Sequence, residues 1–144
     1  MKIYDEIISF KTSKLAKKKG FDITSWFGND ASLYDKTGEH VYYSNYGLMG
    51  SGLSDDYIKA PTQTLLQKWL REEHNLFVEV RNCGAVLEYK ATEWVIEFSF
   101  KIFGLSKTGG LFHRTFSKEF YKTTEDALEK GLIEVLKLIK IDLD

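Results

Sequence analysis

The sequence predicts an α+β fold: an antiparallel sheet of three to five strands with two or three helices packed on one face. Three stretches carry that prediction. In "PTQTLLQKWLREEH", Leu65, Leu66, Trp69 and Leu70 recur at helical spacing and make one apolar face. In "EWVIEFSFKIF", alternation puts Trp94, Ile96, Phe98, Phe100 and Ile102 on one side and Val95, Glu97, Ser99 and Lys101 on the other. In "TTEDALEKGLIEVLKLI", Ala127, Leu128, Gly131, Leu132, Val135, Leu136 and Ile139 form a wide apolar stripe. Amphipathic helices and strands apolar on one side bury both surfaces most economically when the helices share one sheet face.

The length of 144 residues suits a single domain over 1–144. A helix is predicted at about 9–19. Ser9 is its N-cap, since a serine hydroxyl accepts from an orphan backbone NH, and Gly20 is its left-handed terminator with Phe21 folding back. An aromatic hairpin and loop follow at about 22–59. "SLYDKTGEHVYY" reads as the hairpin, with Gly38 supplying a positive φ at the turn. The α-β-β-β-α half spans about 61–140. Pro61 opens its first helix and Asn75 stops it. "NLFVEVR" and "GAVLEYK" then read as two strands, "EWVIEFSFKIF" and "LFHRTFS" as two more. Thr123 or Thr124 caps the last helix, with Glu125 and Asp126 at the positive end of its dipole. Leu65, Leu66, Trp69, Val78, Ile96, Phe98, Leu128, Leu132 and Val135 are predicted to share the core. Glu97 is predicted to face water.

The helix ending "KLAKKKGFD", the stretch "APTQTLLQKWLREEHNLFVEV" and the ending "KTTEDALEKGLIEVLKLIK" together resemble a family of small uncharacterised proteins encoded by bacteriophages and prophages. The resemblance covers both ends and the centre but not the aromatic loop. It implies a bacterial cytoplasmic protein of mobile-element origin, and it assigns no activity and no site residue. The order of elements is also similar in topology to the double-stranded RNA-binding domain. That domain meets phosphates with lysines at the start of its last helix, where this chain has Glu125, Asp126 and Glu129.

Composition narrows the function classes. The formal net charge is −1, so the chain lacks the overall basic field of a dedicated nucleic-acid binder, although a local patch is compatible with it. The single Cys83 precludes an intramolecular disulfide. No apolar run reaches the roughly 18 residues of a spanning helix, and charges interrupt the N-terminal segment where a signal peptide would be apolar. The expectation is a cytoplasmic location and no membrane partner. His40, His74 and His113 have no second His or Cys at metal-ligand spacing, so neither a metal nor another cofactor is predicted. Gly47, Gly50 and Gly52 lead to Asp55 and Asp56, which repel an anion, so they do not form a phosphate loop.

No catalytic residues are predicted, and the expected function is a non-catalytic binding module. Aromatics make up 15% of the chain and crowd the segment with Trp26, Phe27, Tyr34, Tyr42, Tyr43, Tyr46 and Tyr57. Tyrosines on loops give large contact area at small entropic cost, so Tyr42, Tyr43 and Tyr46 are the candidate binding residues, for a protein partner from phage or host. The alternative is a nucleic-acid module whose local basic face draws on Lys14, Lys17, Lys18, Arg114, Lys118 and Lys122. A third reading is an enzyme built on His113 or His74 with Glu97.

Overall fold

The computed structural model describes residues 7–21, 30–44, 57–87 and 94–140. Among the described residues, three helices and two antiparallel three-stranded sheets make the α+β fold. The strands are thus shared between two sheets where the sequence suggests one. The chain divides into two compact units, Met1–Leu66 with Lys140–Asp144, and Gln67–Ile139.

In the first unit, α1 spans Phe10–Lys18. The Ser9 hydroxyl accepts from the Thr12 amide at 3.2 Å, as its capping position predicts. Gly20, at φ +94°, ends the helix, and the buried Phe21 donates its amide back to Ala16. The buried face of α1 is Thr12, Ser13 and Ala16, all small, while Leu15 is only half-buried. The sheet of this unit has the order β2-β1-β3, with β1 at Asp30–Tyr34, β2 at His40–Ser44 and β3 at Ile58–Lys59. Its hairpin turns as predicted. Gly38 sits at φ +88°, and one Asp35 carboxylate oxygen accepts from the Thr37 and Glu39 amides at 2.8 and 3.0 Å. The Thr37 hydroxyl and Glu39 amide beside that carboxyl hold it below its usual range, outweighing slight desolvation. Helix α1 meets β3, and the Ile8 amide donates to Pro61.

Helix α2, Gln63–His74, runs across the division between the units. Asn75 ends it at φ 52°, the left-handed conformation that asparagine tolerates. The second sheet has the order β4-β5-β6, with β4 at Leu76–Leu87, β5 at Trp94–Leu105 and β6 at Leu111–Phe116. Two predicted strands are therefore one. Asn82 pairs with Phe98 and Ala85 with Ile96, so Cys83 and Gly84 together oppose Glu97 alone. Gly84 marks a β-bulge within a continuous strand rather than a break between strands.

Helix α3, Thr124–Lys137, packs on β4 and β5. Of the two candidate caps, Thr123 is the one used, its hydroxyl accepting from the Asp126 amide at 3.0 Å. Register puts Leu76, Val78 and Val80 beside Gly104, Ile102 and Phe100 on one face. Leu76, Val78, Phe100 and Ile102 are buried there, together with Ala127, Leu132, Val135 and Leu136 of α3. Gly131 lets the α3 backbone approach the sheet closely. A Cβ at that position meets Val78 Cγ1 at 2.7 Å and Phe100 Cγ at 3.1 Å.

Of the residues predicted to share the core, Leu66 is buried in the first unit and Trp69, Val78, Leu132 and Val135 in the second. Leu65, Phe98 and Leu128 are half-buried, and Ile96 is 50% exposed. Length explains Ile96: a 14-residue helix covers about 21 Å, whereas a 12-residue strand runs about 40 Å. The far end of β5 thus extends past α3.

Two stability outcomes follow. In α1, the Ser13 hydroxyl is buried and has no hydrogen-bond partner among the described residues. Ser13→Ala removes that unmet demand and improves helix propensity, so urea unfolding is expected to show a gain of about 1–2 kcal/mol. In α3, Gly131→Ala gains about 1 kcal/mol of helix propensity but forces a methyl against a β-branched side chain in a paired strand, at about 1–3 kcal/mol. The expected net is a loss of about 1 kcal/mol, and a gain would show that Val78 yields freely.

Candidate functional site

Among the described residues of the second unit, no helix packs on the second face of the β4-β5-β6 sheet, the open face. Alternation and register place Phe77, Glu79 and Arg81 of β4 beside Phe103, Lys101 and Ser99 of β5. Lys101 and Phe103 in turn pair with Phe116 and Arg114 of β6. Phe77, Ser99, Lys101 and Phe103 are half-buried, and Glu79, Arg81, Arg114 and Phe116 are exposed. Glu97 lies on this face and is half-buried rather than fully exposed.

Rings and cations interleave on this surface. Phe77 and Phe103 stack in parallel with centroids 4.8 Å apart, and Lys101 Nζ stands 5.1 Å from the Phe103 centroid. Phe116, 44% exposed, has two guanidinium groups over its ring: Arg114 at 4.8 Å and Arg81 at 5.9 Å. Arg81 reaches Phe116 from the opposite edge strand, across β5. A guanidinium carries its charge on a weakly hydrated plane, so it lies on an aromatic face while still offering NH donors outward.

Beyond β6 the chain swings out and returns. Ser117 donates its amide to Phe100, then Tyr121 and Phe98 exchange both amide hydrogen bonds at 2.8 Å. Residues 118–120 are thus extruded opposite Ser99, and Phe120 is 62% exposed. Behind this excursion is a pocket of about 270 Å³ whose lining includes Phe100, Phe116, Lys118, Tyr121, Lys130 and Glu134. The Tyr121 ring lies 6.1 Å from that of Phe100. Partial burial, with the Glu119 and Glu134 carboxylates nearby, pushes the Tyr121 phenol up. Burial alone would raise the Glu134 carboxyl, but Lys137 at 3.1 Å and Lys130 at 3.4 Å outweigh it and hold Glu134 ionised.

The predicted tyrosine site falls largely outside the described residues. Tyr42 and Tyr43 lie in β2, opposite Ser32 and Ala31, with their side chains outside the description. Tyr46, Trp26, Phe27 and the glycine-rich loop are wholly outside it. Of the residues of the predicted basic face, Lys14, Lys17 and Lys18 belong to the first unit, and Arg114, Lys118 and Lys122 to the second. Arg81 and Phe116, which the sequence reading leaves unassigned, are what the fold brings to Arg114.

The remaining candidates have local roles. His113 Nε2 and the Thr115 hydroxyl lie 2.6 Å apart on β6, and Cys83 Sγ lies 3.1 Å from the Ser99 hydroxyl. Among the described residues, no group of three His, Cys, Asp or Glu side chains is placed to hold a metal ion. No helix among them is long and apolar enough to cross a membrane. No family model, curated protein or solved structure matches the chain.

Two opposing influences act on His74, in the last turn of α2. Its place in the last helical turn favours a proton, yet its ring packs edge-on against the buried Trp69 at 4.6 Å. Burial holds the imidazole below its ordinary value of 6.5, with Glu73 pulling weakly the other way. Because the folded pKa is the lower one, the contribution is present above about pH 6.5 and is lost as pH falls through the folded value. Urea midpoints at pH 8 and pH 5.5 are therefore expected to differ less in His74→Gln than in the wild type. An equal difference would show that the Trp69 contact does not penalise the imidazolium.

Proposed function

We propose that this chain is a non-catalytic binding module whose working surface is the open face of the β4-β5-β6 sheet, and that its ligand is single-stranded nucleic acid. The observation that carries the reading is Phe116 beneath the guanidinium groups of Arg81 and Arg114, on one face with the stacked Phe77 and Phe103 and with Lys101. Single strands are held by aromatic or guanidinium planes on which unpaired bases stack and by cations that meet the backbone phosphates. A three-stranded sheet offers such planes side by side, about 4.8 Å apart across strands. Glu79 and Glu97 on the same face limit the net charge there, so stacking rather than bulk charge carries the affinity. The expected protein partner on Tyr42, Tyr43 and Tyr46 has no described side-chain geometry to support it.

The test is fluorescence anisotropy with labelled single-stranded DNA and RNA oligomers of mixed sequence, titrated at several salt concentrations. Three phosphate-facing cations predict a slope of log affinity against log salt of about −2. Phe116→Ala is expected to weaken binding about tenfold or more, the cost of one stacking platform. It should change folding stability by no more than about 1–2 kcal/mol, the worth of its two exposed cation–π contacts. A wild-type chain that binds neither oligomer at low salt overturns the reading, and the exposed Leu111, Phe112, Phe116 and Phe120 then point to a protein partner.

A further inference from the structure

Two features of the second unit meet at one residue. Phe116 belongs to the open face through its guanidinium contacts, and it also lines the pocket beside α3. A strand stacked on the open face therefore reaches the pocket by turning over the β6 edge. The pocket is walled by Phe100 and Tyr121 and rimmed by Lys118 and Lys130, with the ionised Glu134 inside its lining. Its volume of about 270 Å³ accommodates one planar ring system of nucleobase size.

The acceptor chemistry is selective. Both lysines approach the same Glu134 oxygen, Oε1. The carboxylate thus retains Oε2 as an acceptor for a ligand donor. A carboxylate accepts from the exocyclic amino group of cytosine or adenine. Uracil and thymine present a carbonyl oxygen at the equivalent position of the ring, which faces the carboxylate with like partial charge. A partly desolvated acceptor left without a donor is penalised as well.

We infer that the pocket between the 117–121 excursion and α3 is a base-reading subsite, in which Glu134 selects a nucleobase carrying an exocyclic amino group while Tyr121 and Phe100 provide its apolar walls. This rests on the nucleic-acid reading of the open face and adds base preference to it.

Short homopolymers of deoxycytidine and deoxyuridine, equal in length, differ at the ring position that is read. The wild type is expected to bind the cytidine polymer about tenfold more tightly, the range of one good base contact. Glu134→Gln should bring the two affinities together, because the amide offers a donor as well as an acceptor. Phe116→Ala should weaken both polymers. Circular dichroism and urea unfolding of Glu134→Gln establish that the variant is folded, and Glu134→Asp, which keeps the carboxylate, should retain a preference for the cytidine polymer. Equal wild-type affinity for the two polymers overturns the subsite while leaving the open face as a binding surface. A preference that persists undiminished in folded Glu134→Gln overturns the role of Glu134. Failure of every polymer to bind overturns the underlying reading together with the subsite.

Discussion

The close approach of α3 to the sheet at Gly131 is the contact on which the second unit depends. With no side chain there, the helix backbone comes down onto Val78 and Phe100, and the apolar stripe on either side of it closes over the strands. One helix layer suffices to bury Leu76, Val78, Phe100 and Ile102. The opposite face of the same strands receives no equivalent burial among the described residues. Its rings are left at the surface, where their energetics are set by cations and water rather than by a core.

That open face is stabilised in a way compatible with solvent. Phe77 and Phe103 cover one another, Lys101 lies over Phe103, and two arginines lie over Phe116. Each contact shields part of a ring while keeping a charged group hydrated, and each is individually weak, about 0.5–1 kcal/mol at an exposed site. In the nucleic-acid reading proposed above, a ligand's own flat ring and negative charge take the place of these weak contacts.

The edge strand β6 shows the same compromise. An exposed apolar edge invites pairing with another chain. Here the edge is short, carries Arg114, and is irregular at both ends. The pairing shifts between Gly104 and Leu105 at one end, and residues 118–120 are extruded at the other. Those irregularities interrupt the ladder and so protect the edge. The second of them also opens the pocket against α3, so one departure from regular pairing serves solubility and forms a concave site.

The local elements were legible in the sequence because their causes are local. Ser9, Thr123, Gly20, Gly38 and Asn75 act on backbone groups within a few residues, and the structure uses each where the sequence places it. Alternation along β5 separated its two faces, and helical spacing found the stripe of α3. The bulge at Cys83 and Gly84 divides one strand into two in the sequence, since a glycine in a strand looks the same locally whether the ladder continues or not. The exposure of Ile96 could not be read either, because it depends on where a helix ends in space. The division of the strands into two sheets, the meeting of Arg81 with Phe116 and the pocket at Glu134 were decided by tertiary structure alone. They join side chains from different elements, and strand register and helix placement, not sequence spacing, bring those side chains together.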